Sequence, residues 1–340
     1  MTRYFVYTSG ENNNVAQAEV SALTRLLELN RVSWRGRIGL VDSSVNPVPF
    51  LLDRAAMVKE AGIVLVESTD PDAILSNLSD DDLKRAIQPT DSFSVRTIPL
   101  GKKDGFKKKQ EIDTRLGAHI KQVTGARVSL NDPQVRILAF LSPNSVLICT
   151  STASELRVNL RNREPGKKPF FHPSMMNASL ARVMCNLAGV MPGEIVLDPF
   201  CGGGGILCEA SLIGAKVVGI DLNWRLLVGG MKNLAAIGNR HSFVQGDIRM
   251  IPVRECDCIV TDPPYGRASS TRGAHAVRLV ESLLANIDSL LSRRDDSLCI
   301  CGDSKMNIQD IAKEYGLMVG QTLHIRVHSG LVREVLTIGF

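Results

Sequence analysis

The sequence predicts an α/β fold whose C-terminal half is a mostly parallel, Rossmann-like sheet with helices on both faces. Apolar, β-branched runs that each end in aspartate span 194–198, 216–221 and 256–262. A turn and a helical pattern follow each run, as in a doubly wound sheet. The last segment departs from this repeat, since two long strand patterns at 317–327 and 331–340 predict a hairpin.

The sequence of the N-terminal half predicts two smaller α/β domains. Strand patterns around a helix with Ala16, Val20 and Leu23 at helical spacing predict a ferredoxin-like domain over 1–65. A second domain is predicted over 66–155. In it the lysine-rich stretch 101–110 is expected to be an exposed loop or hairpin, followed by a helix that stops at Gly125. The linker is predicted over 156–170, and the parallel-sheet domain over 171–340.

Composition and charge narrow the class of protein. The chain of 340 residues is 44% hydrophobic and 22% charged, which is ordinary for a globular protein and excludes disordered, collagen-like and membrane classes. Residues 96–168 carry 15 basic and 6 acidic side chains, whereas residues 169–340 carry 16 of each. This basic block predicts a polyanionic partner, although a solvated surface loop is an open alternative. The candidate contacts are Arg96, Lys102, Lys103, Lys107, Lys108 and Lys109.

The eight cysteines predict buried thiols. Two pairs, Cys256 with Cys258 and Cys299 with Cys301, have C-x-C spacing, which is not the C-x-x-C spacing of a zinc site. Residues two apart in a strand share a face, so each pair is expected on one side of a sheet. We therefore expect no metal, and a reducing cytoplasm is the expected compartment.

A glycine-rich turn is the first motif that indicates chemistry. In VLDPFCGGGGI (196–206), Asp198 ends a strand and four glycines open a helix. Glycine lets a backbone approach a ligand closely, and ligands of open α/β sheets bind at the carboxyl ends of strands. Neither G-x-G-x-x-G nor a P-loop is present. Asp221 ends the next strand, where an acid can bind ribose hydroxyls, and Asp247 in QGDIR is a candidate adenine contact or simply a helix cap.

The most specific motif is TDPPYGR (261–267). Neither proline has an N–H, so the turn presents mainly acceptors: the Asp262 carboxylate and backbone carbonyls. Tyr265 adds a flat ring that can stack on a base. Acceptors that hold both hydrogens of an amino group offset the positive charge that develops as its nitrogen attacks an electrophile.

Together these motifs resemble the class I S-adenosylmethionine-dependent amino-methyltransferases. More narrowly, KKPFFHPSMMNASLARVMCNLAG (167–189) followed by VLDPFCGGGG and IVTDPPYGR resembles the archaeal tRNA guanine-10 2-amino methyltransferases. These enzymes carry an N-terminal THUMP RNA-binding domain. The resemblance covers 167–340 strongly and 45–155 more loosely.

The resemblance implies a class I methyltransferase domain with a seven-stranded sheet, a THUMP-like RNA-binding domain over 66–155, and roles for individual residues. The implied acceptor-base residues are Asp262, Pro263, Pro264 and Tyr265. The implied cofactor-binding residues are Phe171, His172, Pro173, Asp198, Gly202, Gly204, Asp221 and Asp247. One departure is Gly203, where the family usually has Thr or Ser, so one side-chain hydrogen bond near the cofactor is absent.

The expected function is therefore S-adenosylmethionine-dependent methylation of the 2-amino group of guanosine 10 in tRNA. The expected partner is tRNA, with neither DNA nor a membrane expected. Two alternatives are open. A DNA adenine or cytosine amino-methyltransferase also uses Asp-Pro-Pro-Tyr, and a non-catalytic RNA-binding protein could carry a vestigial glycine loop.

Overall fold

The computed structural model describes residues 1–70, 74–100, 106–142, 145–151, 156–238, 241–265, 273–292 and 297–339. The chain forms two compact units. The first comprises Met1–Ser9, Glu28–Asp53 and Val58–Glu155, and the second comprises Gly10–Leu27, Arg54–Met57 and Leu156–Phe340. In the described part of the chain, no helix has the length and apolar character needed to cross a membrane.

The first unit is built on one mixed sheet. Its strands are β1 (Thr2–Thr8), β2 (Ser33–Arg35), β3 (Ile38–Ser43), β4 (Val58–Ser68), β5 (Ser92–Pro99), β6 (Arg127–Val128), β7 (Val135–Ser142) and β8 (Ser145–Ser151). Their order is β2-β3-β1-β4-β8-β7-β5-β6. Strand β5 runs parallel to β6 and β7, and the other pairs are antiparallel. Helix α1 (Asn13–Leu26) belongs to the second unit and is followed by α2 (Val48–Arg54), α3 (Ile74–Asn77), α4 (Asp80–Ala86) and α5 (Phe106–Thr124).

The predicted boundary at residue 65 falls inside β4. This strand pairs with β1 through residues 58–63 and with β8 through residues 62–68. A single eleven-residue strand therefore joins the segments expected to form two domains into one continuous sheet.

The second unit contains the predicted seven-stranded sheet. Its strands are β9 (Ile195–Asp198), β10 (Lys216–Asp221), β11 (His241–Gln245), β12 (Cys258–Thr261), β13 (Leu298–Asp303), β14 (Met318–His328) and β15 (Leu331–Gly339). Their order is β11-β10-β9-β12-β13-β15-β14. Strands β9 to β13 are parallel, and β15 runs antiparallel to β13 and β14. The mostly parallel sheet and its terminal hairpin are thus confirmed.

Besides α1, the α-helices described in this unit are α6 (Leu156–Asn162), α7 (Ala178–Leu187), α8 (Gly205–Ile213), α9 (Trp224–Ala235), α10 (Gly273–Leu284), α11 (Ile287–Leu290) and α12 (Ile308–Glu314). The sequence predicts a linker over 156–170, before the parallel-sheet domain. In the structure, α6 lies within this range and belongs to the second unit.

Helix α1 joins the second unit through a buried polar cluster. The Glu19 carboxylate accepts hydrogen bonds from the backbone N–H groups of Ala56 and Met57 and from the Asn186 amide of α7, each at 2.8 Å. Arg54 donates to the Asn186 side chain and to the Val190 carbonyl. Burial raises the pKa of Glu19. Burying a carboxyl group without hydrogen bonds would cost free energy, and these bonds offset that cost. Residues 10–27 therefore belong to the same unit as Ala56, Met57 and Asn186, which donate them.

All eight cysteines are free and buried, as expected. Cys299 and Cys301 share one core cluster, which also holds Cys258. Cys256 packs in the other cluster, because β12 begins only at Cys258. The shared-face prediction is therefore confirmed for the second pair and wrong for the first.

Candidate active site

Three aspartates meet at one edge of the second sheet. Asp198 ends β9, Asp221 ends β10, and Asp262 follows the last residue of β12. Strand β9 lies between β10 and β12 in the sheet, so parallel pairing brings the three carboxyl ends to the same edge. This is the edge at which the sequence predicts ligand binding.

Asp198 occupies the centre of this edge and is only 2% exposed. Its Oδ1 accepts a hydrogen bond from the Thr261 hydroxyl at 2.7 Å and one from the Phe200 backbone N–H at 3.1 Å. Burial raises its pKa to about 7, and the carboxylates of Asp262 and Asp221 add to this effect. The site therefore presents a buried acid that a nearby positive charge would stabilise in its ionised form.

The glycine run forms a tight loop into α8. Gly202 and Gly204 have φ angles of +49° and +74°, which favour glycine. A Cβ on Gly202 would meet nothing within 4 Å, so open space lies beside this backbone. A Cβ on Gly203 would lie 2.8 Å from Met175 Sδ and 3.2 Å from Phe170 Cε1. Met175 and Phe170 thus fill the space that a larger side chain at position 203 would need.

The segment upstream of α7 packs on this loop through Phe170. The Asn233 side chain of α9 accepts a hydrogen bond from the Phe170 N–H at 2.8 Å and donates to the carbonyls of Phe170 and Gly203 at 3.1 and 2.9 Å. A Cβ on Gly229 would lie 2.2 Å from the Phe170 ring, so glycine is required there. Asn233 therefore fixes the upstream segment and the glycine loop to the same helix.

Three of the residues predicted to bind the cofactor follow Phe170 directly. Phe171 is 56% exposed, Pro173 is also exposed, and His172 is half-buried. His172 Nδ1 lies 2.7 Å from the Ser174 hydroxyl. The Ser174 N–H also donates to Nδ1 at 3.3 Å, so these contacts orient the ring.

Asp221 is tied to the glycine loop while keeping free acceptor capacity. Its Oδ2 accepts a hydrogen bond from the Gly202 N–H at 2.9 Å, and its Oδ1 accepts one from the Asn223 N–H at 2.7 Å. Each carboxylate oxygen has two lone pairs, so a further hydroxyl donor can bind at each. Burial raises the pKa of Asp221.

Asp247 is a helix cap in this structure. Its carboxylate accepts a hydrogen bond from the Arg249 N–H at 3.0 Å and forms an ion pair with the Arg249 guanidinium. It caps the short 3₁₀ turn Ile248–Met250. A contact to adenine would have to share or displace this arginine.

The Asp-Pro-Pro-Tyr turn presents an unpaired acceptor. Asp262 Oδ1 is buried and has no hydrogen-bond partner in the described part of the chain, and its Oδ2 lies 3.9 Å from Arg333 Nη2. Burial raises the pKa of Asp262 to about 6, while the Arg333 guanidinium opposes that rise. The Tyr265 hydroxyl accepts a hydrogen bond from Arg333 Nε at 2.8 Å. An orphaned, buried carboxylate oxygen beside a fixed aromatic ring fits an amino-group donor.

The candidate contacts that the structure describes lie in the first unit, whereas residues 156–168 of the basic block belong to the second unit. Arg96 is exposed on β5 and Lys109 is half-buried on α5. Lys107 and Lys108 also lie in α5, whereas Lys102 and Lys103 lie outside the described residues. The prediction of a loop over 101–110 is wrong from Phe106 onward, because α5 begins there and runs in a continuous helix to the predicted stop before Gly125.

Several residues of this site were not predicted. Thr261, Met175, Asn233 and Arg333 all contact predicted residues. Thr261 directly precedes Asp262, so adjacency was a usable signal for it. Asn233 and Arg333 lie 30 or more positions from their partners, and no local pattern marks them.

A model of the RMKL-like methyltransferase domain family matches residues 165–334. The tRNA (guanine(10)-N2)-dimethyltransferase of Methanothermobacter thermautotrophicus is 33% identical over 267 residues, which cover 76% of this chain and 78% of the relative. The enzyme of the same name from Pyrococcus abyssi is 30% identical over 97% of both chains. The chain belongs to the archaeal tRNA (guanine(10)-N2)-dimethyltransferase family.

Other similarities bear on the fold and on one alternative. The crystal structure of TrmN from Thermus thermophilus shares the fold over 99% of both chains, with a TM-score of 0.57 and 18% identity. A DNA methylase model matches residues 82–228. That span ends before the Asp262 turn, whereas the RMKL-like family model includes it.

Proposed function

We propose that this chain is an S-adenosylmethionine-dependent tRNA methyltransferase that transfers one or two methyl groups to the 2-amino group of guanosine 10. The observation that carries the proposal is the buried Asp262 Oδ1, which has no hydrogen-bond partner among the described residues, in the same turn as the Tyr265 ring. Membership of the family supports the choice of tRNA, because the relatives named above methylate guanine 10 of tRNA.

The residues at the sheet edge fit the cofactor. Asp221 retains acceptor capacity for two ribose hydroxyls, and the open backbone at Gly202 leaves room for a close approach. Asp198 is a buried acid suited to the positively charged methionine end. When bound, S-adenosylmethionine supplies an electrophilic methyl group.

The turn residues act on the acceptor base. The Asp262 carboxylate accepts hydrogen bonds from the amino group and stabilises the positive charge that develops on its nitrogen. The Tyr265 ring stacks on the base and orients it. Holding both reactants in one geometry lowers the barrier further, because the transfer becomes effectively unimolecular. His172 acts as a contact and not as a base.

We assign the RNA contacts to the THUMP-like domain predicted over 66–155, a chain segment that belongs to the first unit. The basic block, with Arg96 and the lysines of 101–110, would neutralise backbone phosphates. A guanine within a stem must be turned out of its stack to reach Tyr265, which costs a few kcal/mol. The eight free thiols suit a reducing compartment such as the cytoplasm.

The alternative of DNA amino-methylation is favoured by the DNA methylase match over 82–228. We prefer tRNA, because the similarity to the Pyrococcus abyssi enzyme covers 97% of the chain and so includes the Asp262 turn. The two functions differ in substrate and not in the chemistry of the turn.

Nucleoside analysis of transcripts tests the proposal. A tRNA transcript with guanosine at position 10 should be methylated, whereas one with adenosine there and a restored pairing partner should not. Binding should change little, because phosphates dominate affinity and bases supply selection. Asp262→Ala should reduce methylation roughly 100–1000-fold while cofactor binding is retained. Methylation of duplex DNA in preference to tRNA, or of both transcripts equally, would refute the assigned substrate.

A further inference from the structure

Arg333 enters the site from a strand that carries no motif. It lies on β15, which pairs antiparallel with β13 and β14. Its side chain is 20% exposed, and its Nε donates to the Tyr265 hydroxyl at 2.8 Å while its Nη2 lies 3.9 Å from Asp262 Oδ2. One guanidinium thus contacts both functional side chains of the turn.

The contact with Tyr265 fixes the ring. A tyrosine ring packed against the core and bonded at its hydroxyl has little rotational freedom, because both its face and its tip are held. Burial raises the pKa of Tyr265 far above its usual range, so the hydroxyl remains protonated and neutral, and its oxygen accepts the hydrogen bond from Arg333 Nε.

The contact with Asp262 sets its charge. The groups that face Asp262 in the described part of the chain are Tyr265 from its own turn, Cys301 from β13, Arg333 from β15 and Asp198 from β9. The thiol of Cys301 is neutral because burial raises its pKa, and Asp198 is a second carboxyl group. Arg333 is therefore the cation in this set that favours ionised Asp262.

We propose that Arg333 is a positioning residue for methyl transfer, which holds Asp262 in its ionised, acceptor form and fixes the orientation of the Tyr265 ring. The inference rests on the proposed function. For each methyl group that the amine nitrogen gains, the nitrogen loses one proton, and the ionised carboxylate of Asp262 receives it. A protonated Asp262 would have one fewer acceptor site and could not take that proton.

The pH dependence of single-turnover methylation tests this role, with enzyme saturated in S-adenosylmethionine and G10 tRNA. Wild-type enzyme should lose activity as the pH falls through about 6, the pKa of Asp262. Arg333→Gln removes the charge and should move this acidic limb upward by about one pH unit, since an opposite charge within about 4–6 Å typically lowers a carboxyl pKa by 1–3 units.

Arg333→Lys separates charge from geometry. It keeps a cation but lacks the planar fork that reaches two partners at once, so the acidic limb should stay in place while the plateau rate falls about tenfold. Arg326→Gln is the matched control, because Arg326 is an exposed arginine on the same hairpin. The acidic limb of the pH–rate profile of Arg326→Gln should coincide with that of wild-type enzyme.

Cofactor affinity measured by calorimetry should be unchanged in each variant, which shows that the fold and the cofactor site are intact. An Arg333→Gln limb that coincides with the wild-type limb would overturn the charge-setting role. An Arg333→Lys plateau equal to the wild-type plateau would overturn the ring-fixing role, and this variant decides the matter if Arg333→Gln does not fold. A wild-type enzyme that methylates no tRNA would instead refute the proposed function.

Discussion

Asp198 should make the second unit less stable as the pH rises. Burial raises its pKa to about 7, against an ordinary value of 3.8. Below pH 3.8 the carboxyl is protonated in both the folded and the unfolded chain. Between pH 3.8 and 7 the unfolded chain releases the proton first, so the free energy of unfolding falls with pH and levels off above 7.

The size of this effect follows from the two pKa values. They differ by about three pH units, and each unit corresponds to about 1.4 kcal/mol. Asp198→Asn cannot ionise, and its amide oxygen can still accept from Thr261 and from the Phe200 N–H. We therefore expect this variant to be more stable than wild-type protein by up to about 4 kcal/mol at pH 8.5 and by about 2 kcal/mol at pH 5.

Urea unfolding at the two pH values measures the difference. Of the two tryptophans, Trp224 lies in α9 of the same unit as Asp198, so a Trp34→Phe background makes fluorescence report on that unit. Asp310→Asn is the control, since the Asp310 side chain is 73% exposed and its substitution should produce no pH-dependent gain. A gain for Asp198→Asn that is absent, or that is equal at pH 5 and pH 8.5, would refute the reasoning. The same substitution should weaken cofactor binding, because it removes a carboxylate from the site.

Three other predictions concern the cofactor loop and the RNA contacts. Asp221→Ala should weaken S-adenosylmethionine binding by about 1.5–3 kcal/mol, the usual contribution of hydrogen bonds to a charged group; unchanged affinity in calorimetry would place the ribose elsewhere. Gly203→Thr should destabilise the second unit by about 1–3 kcal/mol, because the new Cβ would lie 2.8 Å from Met175 Sδ. In thermal denaturation, the double variant Gly203→Thr with Met175→Ala should regain part of the lost stability. Neutralising the five lysines of 101–110 should weaken tRNA binding and reduce the slope of log affinity against log salt by about 0.7–0.9 for each phosphate that is no longer neutralised; an identical slope would return this segment to the role of a solvated surface.

The sequence alone was sufficient to predict those features that depend on residues adjacent in the chain. Strand runs that end in Asp198 and Asp221 predicted the parallel sheet and its functional edge, because parallel strands present their carboxyl ends together. The four glycines at 202–205 predicted a close-approach loop, since the backbone freedom of glycine is a local property. The absence of proline N–H groups in the Asp262 turn likewise predicted an acceptor site.

The tertiary structure decided the features that depend on which distant segments meet. Strand β4 joins the first two predicted domains because its two halves pair with β1 and β8, and helix α1 joins the second unit because the buried carboxyl of Glu19 finds its donors there. Residues 106–110 of the lysine-rich segment are helical, because α5 begins at Phe106. Arg333 reaches Tyr265 across 68 positions of sequence. Hydrogen-bond partners of buried polar groups are chosen by three-dimensional proximity, and no periodicity along the chain encodes that choice.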